Sequence, residues 1–313
     1  CGVIFQPQLL SQPNDNGRFH DDTGTFEKQS VAPAVQIYVV LPFIHIGDDK
    51  IENMNMIASH LLIASAAWCL ALSVVAWFFS VVRRDAGIAD VFWPWFSVGS
   101  AVIYALDAWP LPAISLGFLG LLAVSASRLS LAVIRRTRRA GEDRRYSDIR
   151  NQWGKGFAIK SLPGIFLMQG LMGFTLAVPL AYAVTGFENA SILRFLFIII
   201  WSSGFLVQAV ADRQLAVFSR TDDGTGVLST GLWRYSRHPN YFGELSMIWA
   251  IFALAAANGG VWTLFAPLLM TWSIFRFTGI TRMEDGISSR RPGYESYMKK
   301  TSALIPLPPR KHV

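Results

Sequence analysis

Gly231-Leu232-Trp233-Arg234-Tyr235-Ser236-Arg237-His238-Pro239-Asn240-Tyr241-Phe242-Gly243-Glu244 is the stretch on which the reading of this chain turns. It sets two arginines, a histidine, an asparagine, two tyrosines and a glutamate around one proline. The chain then turns apolar through Leu245, Met247, Ile248, Trp249, Ile251 and Phe252. Pro239 suits the first turn of a helix, where a missing N–H costs nothing, and it holds His238 near extended geometry. A membrane-spanning helix is therefore predicted to begin inside the motif. Its start offers unpaired N–H groups and a partial positive charge, to which Arg234 and Arg237 add full charges. That is chemistry for a phosphate or carboxylate at a membrane surface. Glu244 falls about one turn inside the helix, where an ionised side chain is costly and marks a functional candidate. The plainer alternative is a basic interfacial loop with His238 and Asn240 as caps.

The composition around this stretch agrees with a membrane. Of 313 residues, 52% are hydrophobic and only 16% charged, and the mean hydropathy is +0.36. This balance predicts an all-α, polytopic membrane protein rather than a soluble domain. Seven apolar runs cover roughly 57–80, 89–109, 111–134, 163–185, 192–211, 239–258 and 260–280, each near the ~20 residues a helix needs to cross the hydrocarbon core. The net charge of +7 comes from basic residues clustered in alternate connections. By the positive-inside rule these fix about seven transmembrane helices, the N-terminus outside and the C-terminus in the cytosol, with cytosolic loops 135–162 and 212–238 and a cytosolic tail 281–313. Nucleic acid is then not the expected partner; membrane lipids are. Two Cys and five His without ligand spacing predict no metal site. Residues 1–53 are polar and irregular and open on Cys1. They are expected to be a disordered or artefactual extension, with Met54 or Met56 as a natural start of the 54–313 membrane domain.

Further polar residues stand at the ends of the apolar runs. Asp90 sits at the cytosolic boundary of the second run, as a helix cap or as a wall of a cavity. Arg144, Arg145 and Arg150 lie in the basic loop, as topology determinants or as a phosphate clamp. Gln169 lies a turn into an apolar helix. Gln208 and Asp212 are four apart and share a helix face. No Gly-x-Gly-x-x-Gly follows a strand, so a Rossmann domain is not supported. The tail carries Glu284 and then Gly293-Tyr294-Glu295-Ser296-Tyr297.

The 231–244 stretch, Asp212 and this tail together resemble the C-terminal domain of the steroid 5-alpha-reductase superfamily, in particular its bacterial-type branch. The resemblance covers about residues 85–310. The shorter Arg237-His238-Pro239-Asn240-Tyr241-Phe242-Gly243-Glu244 is also similar to the core of isoprenylcysteine carboxyl methyltransferases. The first resemblance implies an integral membrane, NADPH-dependent reductase of a C=C bond in an apolar, lipid- or sterol-like enone. Asp212, Arg234, Tyr235, Arg237, His238, Asn240, Tyr241, Glu244, Glu284 and Tyr297 would then bind the cofactor. The second implies a membrane methyltransferase using S-adenosylmethionine. A non-catalytic lipid- or sterol-binding protein with the same fold is a third reading. In steroid 5-alpha-reductases a Glu from an early helix and a Tyr polarise the carbonyl. The early runs here contain no such Glu, which argues against a steroid substrate and leaves Tyr104, Asp90 and Glu244 as candidates for the acid.

Overall fold

The computed structural model describes residues 57–186, 192–222, 224–276, 280–284 and 286–310. The predicted extension over 1–53 lies outside the described residues. Those described are helical, with no strand among them, and belong to one unit.

Five helices are long and apolar enough to cross a membrane: α1 Ser59–Arg83, α2 Ile88–Asp107, α3 Ala113–Ala140, α5 Phe157–Thr185 and α6 Ile192–Thr221. They coincide with the first five predicted runs. The sixth run forms α7, Pro239–Ala256, whose first turns carry Asn240 and Glu244. The seventh is the shorter apolar helix Val261–Arg276, a 3-10 turn leading into α8, Phe265–Arg276. The basic loop is itself ordered as α4, Arg144–Trp153. Three short helices close the chain: α9 Ile280–Glu284, α10 Ile287–Arg290 and α11 Tyr294–Lys300.

The fourth run begins earlier than its apolar residues, at Phe157 rather than 163. Pro163 falls inside the helix, where its ring would clash with a carbonyl one turn back. The backbone widens into a π-turn over Leu162–Leu167 and carries the helix past the proline.

Between helices in lipid there is little hydrophobic driving force, so association relies on small residues and polar contacts. The buried face of α1 is accordingly Ser65, Cys69, Ser73, Ala76 and Ser80, and Ser65 donates to Ser100 of α2 at 2.7 Å. Its outer face keeps Phe78, Phe79 and Val82 exposed for lipid contact. One apolar core joins Tyr104, Phe118, Leu180, Trp201 and Leu254. The helix pair that sets the site, α6 and α7, packs together more extensively than any other.

Candidate functional site

The signature opens a helix at Pro239, as the sequence predicts, but that helix is not among the five long and apolar enough to cross a membrane, and His238 at its cap has ψ 59° rather than an extended value. Gly231–Arg234 is a 3-10 turn, and Pro239 is the first residue of α7, with His238 at its cap. The tail returns to it. Ser236 and Ser302 form a parallel bridge, the Arg237 N–H donates to the Ser302 carbonyl at 2.8 Å, and the Ser236 hydroxyl donates to the Leu304 carbonyl at 2.7 Å. The Arg237 guanidinium then grips Glu284 with two bonds, Nε to Oε1 at 2.7 Å and Nη2 to Oε2 at 3.0 Å. Its Nη1 donates to the carbonyls of Met298 and Thr301 at 3.1 and 2.8 Å. Four of its five N–H donors are thus engaged within the chain. The predicted phosphate ligand is, in this structure, the bolt between signature and tail. His238 Nε2 lies 2.9 Å from the same Glu284 oxygen, and the His238 ring stacks on Tyr241 at 5.4 Å. Burial works against ionisation of Glu284, but the bonds from His238 and Arg237 outweigh it and hold the carboxyl down at about 2.

Beside this bolt, four helices bring a second polar group together. Arg128 of α3 donates to Asp212 of α6 at 2.7 Å and to the Gln208 side chain. The expectation that Gln208 and Asp212 share a face therefore holds, and their common partner is Arg128 rather than the neighbouring Arg213. Asn240 of α7 donates to the other Asp212 oxygen at 3.3 Å. Glu244, one turn further, faces Asp212, Arg128 and the Trp93 indole. This proximity depends on Gly243. A Cβ built there would lie 2.5 Å from the Gly204 carbonyl and 2.7 Å from the Gln208 nitrogen, so a side chain would push α7 off α6.

At the N-terminal end of α2, Asp90 accepts from Arg145 at 3.0 Å and from the Tyr146 hydroxyl at 2.7 Å, and Gln169 donates to that hydroxyl at 3.2 Å. Arg145 also holds Asp143 at 3.0 Å. Burial raises the Tyr146 hydroxyl well above its ordinary range, and the Asp90 charge adds to the effect. For Asp143 burial is outweighed by Arg145, and its carboxyl is lowered. Tyr241 stands within the electrostatic reach of both groups, of Arg145, Asp90 and Asp143 and of Glu244.

The profile of the family described as a protein of unknown function, DUF1295, matches residues 76–301. The chain belongs to the DUF1295 family. The match runs from α1 to the end of α11, so every residue of the two polar groups lies within the DUF1295 region. Uncharacterized protein C594.04c of Schizosaccharomyces pombe is 34% identical over 91 residues, 26% of this chain and 24% of that protein. The match thus spans about a quarter of that relative's length. No solved structure matches the chain.

Within this DUF1295 chain the remaining sequence candidates are dispersed. Tyr104 is buried in the apolar core, fourteen residues and so about 21 Å along α2 from Asp90; the fold sets it apart from the signature. Arg234 and Tyr235 are exposed, and the guanidinium lies 6.0 Å from the tyrosine ring. The Tyr297 hydroxyl donates to the Trp233 carbonyl. The sequence reading missed Arg128. Its only signal was a single cation six residues before the expected end of an apolar run, where an unpaired charge would be expensive.

No group of three or more His, Cys, Asp or Glu among the described residues has metal-binding geometry. For an organic cofactor the donor set is better matched. Arg128 Nε is buried with no hydrogen-bond partner among the described residues, and buried donors are rarely left so. An acceptor oxygen placed beside Asp212 and Asn240 would satisfy that N–H.

Proposed function

We propose that this chain is an integral membrane reductase that uses NADPH to reduce a C=C bond of an apolar, lipid- or sterol-like enone. The observation that supports it is the convergence of Asn240, Tyr241, Glu244 and Asp212, which carry the resemblance to steroid 5-alpha-reductases, with Arg128 and Asp90 at one end of the bundle. The topology that goes with it is seven spans with the N-terminus outside and the C-terminus in the cytosol, which puts every basic loop on the cofactor's side.

In this reading Asp212 and Asn240 accept from and donate to the ribose and carboxamide, and the orphan Arg128 N–H takes a ligand oxygen. His238 and Glu284, bolted by Arg237, fix the start of α7 and thereby the placing of Asn240 and Tyr241. Arg136, half exposed, and Arg145 lie on the rim for phosphate oxygens. When bound, the cofactor supplies a hydride; the chain contributes positioning and electrostatics. Glu244, when protonated, is the acid placed to donate to the substrate carbonyl; Asp90 is engaged as an acceptor by Arg145 and Tyr146, and Tyr104 lies far along α2 from it. The competing reading, a methyltransferase using S-adenosylmethionine, draws on the same carboxylates. Asp90, Asp212 and Glu244 crowd one region, and a sulfonium cation would be attracted to it.

Titration of the purified protein in detergent with NADPH, NADH and S-adenosylmethionine, read by tryptophan fluorescence, tests the choice. Saturable NADPH binding that weakens in Asn240→Ala is the expected result. Binding of S-adenosylmethionine alone overturns the reductase reading, and binding of none of the three favours a non-catalytic lipid binder.

A further inference from the structure

A second site stands on the surface, away from the buried carboxylates. A cleft of about 660 Å³ lies between residues 225–234 and residues 292–309, a volume in the range of small-molecule sites. Two cations line it, Arg234 and Lys300, and no Asp or Glu does. Both are exposed. Neither is ion-paired with a described carboxylate, whereas Lys299, the next residue on the same helix, is held by Glu295 at 2.9 Å. Ser229, Thr230 and Ser296 add hydroxyl donors to the walls.

The two walls are fastened to each other. Arg291 bonds Asp222 at 2.7 Å and the Gly226 carbonyl. Tyr297 donates to the Trp233 carbonyl, and the Leu307 N–H to the Tyr235 carbonyl at 3.0 Å. The two cations are therefore held near one opening by the fold rather than by a counter-charge. Like charges kept together without an anion repel, and a multiply charged oxyanion offsets that repulsion through charge-assisted hydrogen bonds.

We propose that this cleft binds a phosphate group carried by a small organic ligand, with Arg234 and Lys300 supplying the charge and the wall hydroxyls completing the hydrogen bonds. Val227 and Pro309 give the organic part an apolar surface. The source of the phosphate is either a soluble phosphate ester or the headgroup of an anionic phospholipid. The cleft shares Arg234 and Tyr297 with the cofactor set that the resemblance implies, adds Lys300 and the wall hydroxyls to them, and uses none of Asp212, Asn240 or Glu244.

The test uses the full chain in phosphatidylcholine nanodiscs, titrated calorimetrically with inorganic pyrophosphate. In parallel, amide exchange of residues 294–301 is compared between pure phosphatidylcholine discs and discs containing phosphatidylglycerol. Arg234→Gln combined with Lys300→Gln is expected to weaken binding at least about tenfold, the loss of two charge-assisted contacts. Lys299→Gln should leave it unchanged. Unchanged exchange of the tail in the double variant without ligand checks that its walls stay docked. Pyrophosphate binding with equal protection in both discs assigns the site to a soluble ester; protection by phosphatidylglycerol alone assigns it to a lipid headgroup. Binding of neither probe, or binding retained in the double variant, overturns the proposal.

Discussion

Arg237–Glu284 and Arg128–Asp212 both meet the start of α7, the first through His238 and the second through Asn240, and are built from the same residue types, yet they differ in how completely they are satisfied. Around Arg237, four donors meet a carboxylate and two carbonyls, and Glu284 gains His238 as well. Around Arg128 one buried N–H is orphaned and a further carboxylate, Glu244, crowds the pair. A saturated ion pair holds structure together. An unsaturated one leaves valence for a ligand. Within one signature, then, the arginine that reads as the ligand in sequence is the structural one, and an arginine outside the signature lies at the centre of the open group.

Breaking the saturated pair should cost most. Arg237→Ala leaves Glu284 buried without its partner, and losses of about 3–5 kcal/mol are usual for such a deletion; thermal unfolding in detergent and proteolysis of the tail should both show it. If Arg237→Ala proves as stable as the parent while losing ligand binding, the two arginines have exchanged roles.

Acid should undo the same contact. The Glu284 carboxyl is lowered to about 2 from the ordinary value near 4.3. Its contribution is complete above the unfolded value and disappears as pH falls from about 4.5 through about 2. At about 1.4 kcal/mol per unit it amounts to at most about 3 kcal/mol. Amide exchange of residues 301–307 between pH 5 and 2 should accelerate in the parent, and Glu284→Gln should flatten that dependence.

Gly243→Ala sharpens the contrast from the packing side. Separating α7 from α6 should cost about 1–3 kcal/mol, as overpacking does, and it should weaken ligand binding further by moving Asn240 and Glu244 away from Asp212. The smallest stability effect belongs to the open group. Asn240→Ala removes one long hydrogen bond to Asp212 and a local one from the neighbouring Tyr241 N–H, and should shift stability by about 1 kcal/mol, with its larger effect seen in cofactor titration.

Much of this is legible in the sequence. The runs of apolar residues locate α1, α2, α3, α5 and α6, the five helices long and apolar enough to cross a membrane, because a chain in lipid must satisfy its backbone by helix and advertise each span by composition. Pro239 marked the first turn of α7, since only there does its missing N–H cost nothing. The π-turn past Pro163 and the ordered helix within the basic loop were not legible. Each depends on what packs around it: Trp153 lies against Gly164, and Tyr146 bonds Asp90.

The sequence by itself determined the helical membrane class, the start of α7 and the identity of the polar residues, because hydropathy and proline stereochemistry act locally. Only the tertiary structure decided which charge meets which. Arg128 and Asp212 are 84 residues apart, and Arg237 and Glu284 are 47 apart. Whether an arginine is spent or open depends on acceptors that distant helices bring to it, and local sequence carries no record of those distances.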